Sequence, residues 1–402
     1  MVEIEFSMIS DPSDGAHNLS RILEEYEAQH GVRVRLSTMS WDQAWSNLVK
    51  FALYGKGPDV SHVGSTWGSS LALMNALRPF APREIAALGG SGAFIAAAWQ
   101  SAARSGDEQV WAMPWLTDTY VVCYRRDLLQ RARVDERTAF GTAEAMAETL
   151  SRLQSVGVEI PWVISADPCP DVLHIVASWV WGAGTDFMND NGTHCLFNQP
   201  KAFSGLKAYF ELYRHLPSFA RRLDVRQSFD LFAEGRAAVM VATSEAALTI
   251  MRENIAPEVR DHLGTTVPPG VPWVGGDNLV IWRCTQGDPN REHAAIAFVS
   301  FLVSQPAQVR FCQTTEFLPV RFDALSALTF EPTSLAQTID RAFRTGRPYK
   351  AIGMWTSVEY QLSQALDQVA AEVMAEPTAD VGAILHRHLD PLARRLDLML
   401  GQ

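Results

Sequence analysis

The chain has 402 residues, 47% of them hydrophobic and 20% charged, with a formal net charge of −11. That length is more than one compact domain uses and suits two, and the balance is globular rather than disordered. An acidic chain without a Lys/Arg-rich run lacks the clustered cations that grip phosphate backbones or anionic membranes, and no apolar run reaches the roughly 20 residues of a membrane span.

Residues 1–6 open directly on strand-like alternation, without the charged and apolar regions of a secretion signal. Two readings follow: a cytoplasmic protein, or a signal removed from this sequence. Residues 3–9 alternate as a strand, and 10–18 form a polar loop. Residues 18–29 carry apolar side chains at helical spacing, with Gly31 ending the helix. Val32, Val34 and Leu36 mark a second strand, 42–54 a second helix, and GKGPDVSHVG leads into a buried strand. This order predicts an α/β unit with a largely parallel sheet.

Further on, 109–125 reads as extended chain around a Trp-Leu-Thr-Asp turn. Helices are expected at 126–132, 142–155, 170–182, 200–215 and 226–235. Strands are expected at 160–165 and 237–242, with a turn and short strands over 186–197. After the Pro/Gly-rich passage 266–276, a strand at 278–283 begins a new unit, followed by helices at 291–304 and 306–315. The last 60 residues read as mostly helical, with Pro377 and Pro391 as breaks.

Of the five cysteines, none forms a C-x-x-C pair, so zinc and thioredoxin-type chemistry have no support. Cys123, Cys284 and Cys312 lie in apolar periodic stretches and read as buried thiols. Cys169 and Cys195 lie in polar, turn-rich segments, and a disulfide between them stays open.

Five stretches, in order, carry a resemblance: ILEEYEAQHGVRVRL (22–36), GKGPDVSHVGSTWGSSLALMNALRPF (55–80), EQVWAMPWLTDTYVVCYRRDLLQRARVD (108–135), FDLFAEGRAAVMVATSEAAL (229–248) and AAIAFVSFLVSQPAQVRFCQTTEFLPVR (294–321). Together they resemble family 1 extracellular solute-binding proteins, the maltodextrin-binding type. The resemblance implies a periplasmic-binding-protein-like α/β fold: two lobes, a multi-strand hinge and a central ligand cleft. The lobes are placed at 1–115 plus 272–318 and at 116–271 plus 319–402. It also implies a carbohydrate ligand captured by hinge closure, delivery to the permease of an ABC importer, a monomer, and a periplasmic or extracytoplasmic location with the signal removed.

A carbohydrate site wants aromatic rings for axial C–H faces and directed polar groups for hydroxyls. The chain has 12 Trp. Trp41, Trp67, Trp115, Trp273 and Trp355 fall in or beside loops expected at the cleft, and one of Trp179 and Trp181 is expected to reach it. Trp45, Trp99, Trp111, Trp162 and Trp282 sit in periodic apolar patterns and read as core. Ser10 and Asp11 follow the first strand, and Ser65 and Thr66 end the third, where ligands of open α/β sheets bind; plain helix capping is the alternative. Asp118 either accepts sugar hydroxyls or caps a turn. Ser244 and Glu245 follow the AAVMVA strand. Gly275, Gly276, Asp277 and Asn278 allow close ligand approach or a hinge turn.

Arg321 and Arg347 leave an anionic sugar open. Asp186, Asn189, Asp190 and Asn191 suggest calcium, but they lack the closing glutamate of an EF-hand loop and read as a hairpin turn. No G-x-S-x-G, H-E-x-x-H, Walker loop or G-x-G-x-x-G follows a strand, so no catalytic residue, metal or cofactor is assigned. The competing functions are a cationic ligand in an aromatic cage, of betaine or polyamine type, a sensor subunit, and a glycoside-acting enzyme.

Overall fold

Nine strands are described: β1 (Val2–Ile9), β2 (Val32–Met39), β3 (Val60–Gly64), β4 (Leu77–Arg78), β5 (Met113–Arg125), β6 (Val239–Thr243), β7 (Leu263–Thr266), β8 (Val274–Trp282) and β9 (Leu318–Pro319). The computed structural model describes every residue except 1, 11–15, 104–105, 107–108, 166–170, 253–254, 329–332, 377 and 402. The chain divides into unit one (Met1–Asp118, Val274–Thr329, Pro348–Thr356) and unit two (Thr119–Trp273, Phe330–Arg347, Ser357–Gln402). Compared with the lobes drawn from the sequence, residues 319–329 and 348–356 fall in unit one, so the chain passes between units more often than those boundaries allow.

In unit one, β1 pairs in parallel with β2 and β3, and β8 runs antiparallel to β3. The parallel strands bring three carboxyl ends to one edge, the position where open α/β sheets bind ligands. Ser10, the helix Trp41–Tyr54 and the helix Gly68–Leu73 all begin there. β3 is buried at all five residues, as a strand covered on both faces must be. Its Ser61 hydroxyl is satisfied: it shares a hydrogen bond with Ser7 at 2.6 Å and accepts from Trp282 Nε1 at 2.7 Å. Just before β3, buried Asp59 accepts from the Glu5 backbone N–H at 2.8 Å and from Arg291 at 2.6 Å. Leu48, Val63, Leu71, Leu77, Val280 and Trp282 fill the core beneath.

In unit two, the second half of β5 pairs antiparallel with both β6 and β7. The helices Asp171–Gly182 and Pro200–Glu211 pack so closely that a Cβ on Gly205 would stand 2.6 Å from the Trp179 carbonyl oxygen. Only glycine permits that approach. Around it, Trp162, Trp179, Tyr209 and Tyr213 meet edge-to-face, which favours the ring quadrupoles. Thr142 and Asp224 cap their helices by accepting from Ala145 and Gln227 backbone N–H groups.

Several expectations change. The Trp-Leu-Thr-Asp segment is no turn but part of β5, which pairs at Leu116 and Thr117 with β9 and at Tyr120–Tyr124 with β6. The stretch 160–165 forms only two isolated parallel bridges, Ile160 to Ala237 and Val163 to Met240. β8 begins at Val274, so Gly275 and Gly276 lie inside a strand rather than in a hinge turn. Pro391 sits within the unbroken helix Val381–Leu400, whose stripe of Leu385, Leu389, Leu392 and Leu396 stays buried and offsets the lost backbone bond; Pro377 lies outside the described residues. Cys284 is exposed, while Cys123 and Cys312 are buried. Burial pushes the Cys123 thiol up to about 12. Cys195 is a buried free thiol; Cys169, its partner in the pairing left open above, lies outside the described residues. Residues 186–195 make the hairpin turn: Asn189 Oδ1 accepts from the Thr193 and His194 backbone N–H groups.

Candidate functional site

At the carboxyl edge of unit one, the register of β3 against β8 aligns Gly64 with Asp277 and His62 with Leu279. His62 and Asp277 therefore lie on one face as diagonal neighbours, and His62 Nε2 is 3.2 Å from Asp277 Oδ1. Trp41 stands against His62, its ring edge-to-face with it (5.9 Å, 82°) and with Trp67 (5.6 Å, 72°). Trp41 keeps 41% of its surface exposed. Trp67 is partly exposed and tilts against Trp45. The loop between them is drawn in by the Ser65 N–H, which donates to the Gly276 carbonyl at 2.9 Å. Gly276 itself adopts φ 121°, and a Cβ there would stand 2.3 Å from the Leu116 carbonyl oxygen. The close approach its glycine permits is thus to β5.

Other predicted residues are placed differently. Ser10 is partly buried and donates its N–H to the Met39 carbonyl at 3.0 Å; Asp11 lies outside the described residues. Thr66 offers its carbonyl to Thr356 Oγ1 at 3.4 Å, and Gly275 its carbonyl to Thr117 Oγ1 at 3.1 Å. Trp115 is a correction: at 1% exposure it belongs to the core, stacked on Phe311 (5.3 Å, 20°) with Phe6 and His62 at its edges. Asn278 is another, buried and exchanging hydrogen bonds with Ser101. Trp355 is buried and stacked on Tyr349 at 4.6 Å. Asp118, at the end of unit one's share of β5, is partly buried.

Unit two gathers a second set. Trp273, 7% exposed, stacks on His174 (4.5 Å, 16°) and tilts against Tyr120. Its carbonyl accepts from Thr119 Oγ1 at 2.7 Å. His174 Nε2 is 3.8 Å from Glu359 Oε1. Ser244 is fully buried, its hydroxyl facing the Thr119 N–H at 3.4 Å, and so pins β5. Glu245 opens the helix Ser244–Arg252 and is partly buried. Trp179 and Trp181 are both buried, against the expectation that one would be open. Arg347 lies 4.6 Å above the Trp181 ring and 2.5 Å from Asp186, which also accepts from Trp181 Nε1 at 3.1 Å. Arg321, in unit one, pairs with Asp323 at 2.6 Å and holds that carboxyl below its usual range. Both arginines offered for an anionic ligand therefore already face carboxylates.

The sequence reading missed His62, His174 and Glu359. The signal for His62 was present: a histidine inside an otherwise buried Val-Ser-His-Val run must have polar partners close by.

A family profile described as bacterial extracellular solute-binding protein matches residues 21–335. The chain belongs to that family. No curated protein sequence matches this solute-binding protein. Among solved structures, it resembles a solute-binding protein of Thermotoga lettingae bound to α-D-tagatose, with TM-score 0.77, 16% identity and full coverage of both chains. Maltose-bound MalE3 of T. maritima gives TM-score 0.76 at 18% identity, covering 99% of this chain and 100% of that one. The sugar-binding protein MalE of Xanthomonas citri gives 0.77 at 18%, covering 100% and 98%. At such identities the likeness establishes the fold; the role of solute binding rests on the family.

Proposed function

We propose that this solute-binding protein captures a carbohydrate (a mono- or oligosaccharide or glycoside) and delivers it to the permease of an ABC importer. It acts as a monomer outside the cytoplasm, without metal or cofactor, and makes and breaks no bond. The observation that carries the reading is the exposed Trp41 ring beside the His62–Asp277 pair in unit one. An indole face accepts the C–H face of a sugar, and a carboxylate accepts its hydroxyls through charge-assisted bonds. Support comes also from the ligands named for the similar structures, α-D-tagatose, maltose and ribitol. In unit two, Trp273 with His174 and Glu359 is the corresponding aromatic and polar set.

A thermal-shift screen against mono- and oligosaccharides, with betaine, choline and polyamines alongside, tests this. A ligand that binds only the native state raises the melting temperature with concentration. A saccharide is expected to do so, with or without EDTA. Shifts from the cationic compounds alone would replace the sugar with an aromatic cage for cations. Turnover of a chromogenic glycoside would return the enzyme reading.

A further inference from the structure

A second feature of unit one lies at the far end of the helix Trp41–Tyr54. The helix has 14 residues, so its last turn stands about 20 Å from Trp41 along the axis. There a groove of about 300 Å³ opens between the helix end, the turn before β4 and the residues after β8. Phe51, Ala52, Ala76 and Trp282 give it apolar walls, and Asn75, Arg283 and Cys284 polar ones. Its frame is fixed. Asn75 turns the chain at φ 56°, a conformation asparagine tolerates, and its carbonyl accepts from Arg283 Nη1 at 3.2 Å. The Arg283 N–H donates to the Ala76 carbonyl at 2.8 Å.

The surroundings of the groove are uneven in two ways. Of the ten large hydrophobic side chains that the described residues leave exposed, four flank it in sequence: Leu53 (72%), Tyr54 (74%), Leu73 and Met74. Such a concentration marks a contact surface, whereas single exposed apolar residues do not. Charge is equally one-sided. The chain has 45 Asp and Glu, yet none lies within two positions of any residue lining the groove. Lys50 and Lys56, two of only five lysines, do lie there, beside Arg283 itself. All three cations are exposed. None pairs with a carboxylate among the described residues, and Lys50 has only Asn47 Oδ1 at 3.5 Å.

We propose that this groove docks a segment of a partner protein in which an aliphatic or aromatic side chain stands between carboxylates. The apolar side chain fills the groove, and the carboxylates meet Lys50, Lys56 and Arg283 at its rim. That is the anatomy of an anchored interface, an apolar centre within a polar border. Charge complementarity decides against the other occupants. A second copy paired about a two-fold axis would set these cations against their own copies. An anionic membrane would meet the field of a chain with net charge −11, and its surface offers no side chain for the groove. Docking here does not depend on which solute the protein holds.

The probe is a fluorescein-labelled peptide, Gly-Glu-Asp-Leu-Phe-Asp-Glu-Gly. One control replaces its Leu-Phe by Ser-Ser, and another replaces its four acids by lysine. Anisotropy reads affinity. Protection of Cys284 from iodoacetamide, followed by mass spectrometry of the fragment that carries it, reads place, because this thiol is exposed on the groove wall. The acidic apolar peptide is expected to bind wild type and to slow Cys284 alkylation several-fold at saturation. Each control is expected to bind at least about tenfold more weakly. The double variant Lys56→Glu/Arg283→Glu, and separately Ala52→Trp, which fills the groove, are each expected to lose about tenfold with an intact melting transition. Should Ala52→Trp fail to fold, the charge-reversed pair on the surface still decides. No binding at millimolar peptide, equal affinity for the controls, or binding that leaves Cys284 alkylation unchanged overturns the proposal. A dimer in sedimentation that the charge-reversed pair dissolves would make the occupant a second copy. Protection of Cys284 by phosphatidylglycerol vesicles and not by peptide would make it a membrane. Either result overturns the proposal as well.

Discussion

The two aromatic sets differ in how their rings meet. In unit one, Trp41 touches His62 and Trp67 edge-to-face, at 82° and 72°. In unit two, Trp273 lies flat on His174 at 16°, and Trp181 is roofed by the Arg347 guanidinium. A flat stack occupies a face of both partners, whereas an edge-to-face contact occupies a face of only one. Exposure follows: Trp41 keeps 41% of its surface, Trp273 7% and Trp181 4%. A ring with a free face can receive a ligand; a ring already stacked does structural work as well. On the carbohydrate reading proposed above, the unit-one set would be the plainer binding surface, and the unit-two set one in which recognition and packing are joined.

The largest effect expected is on the frame of unit one. Arg78 is buried and joins Glu84 and Glu292, the latter at 2.8 Å. Arg78→Ala should lower unfolding free energy in urea by about 3–5 kcal/mol, since it leaves two carboxylates without their cation. A loss under about 1 kcal/mol would mean that this pairing is not what steadies the unit. Next, Trp41→Ala and Trp67→Ala should each weaken saccharide binding by about 1–3 kcal/mol with the melting temperature nearly unchanged. Trp273→Ala should cost a similar amount in binding and lower the melting temperature too, because it strips the stack from His174. Equal stability losses in all three would erase the contrast between the sets.

A smaller effect is on acid stability. Burial is the largest single influence on the Glu84 carboxyl and would raise it, but the hydrogen bonds from Arg78 and the Ala81 N–H, with the charges of Arg78 and Arg83, together outweigh it and hold the group below its usual range. With the folded value below the unfolded one, this contribution is full at neutral pH and is lost as pH falls through the folded value. Glu84→Gln should therefore flatten the stability curve below the ordinary carboxylate range. An unchanged acid limb would count against the pairing as its source.

Much of unit one was legible in the sequence. Alternation over 3–9, the helix ending at Gly31 and the Pro-Asp-Val entry to β3 each express a local preference that the packed fold keeps. Pro391 and the Trp-Leu-Thr-Asp segment misled because tertiary pairing and a buried leucine stripe overrode local signals. For the candidate site, sequence position put Trp41 and Trp67 in or beside loops expected at the cleft, and Asp277 in the segment where the chain re-enters the first lobe. It did not show that Trp115 stacks on Phe311, nor that Gly276 makes room for β5. Periodicity reports which side of an element faces inward, and says nothing of which face of a ring is covered. His62 and His174 were passed over for the same reason: their significance lies in partners 215 and 185 positions away, Asp277 and Glu359.

The central claim is that the open indole of Trp41 is a platform for a sugar. Calorimetric titration of wild type and Trp41→Ala with maltose, maltotriose, α-D-tagatose and ribitol tests it most directly. Saturable binding of at least one of these to wild type is predicted, weakened roughly ten- to a hundredfold in Trp41→Ala while the variant still melts cooperatively. Undiminished affinity in the variant, or no binding by any of the four, would contradict it.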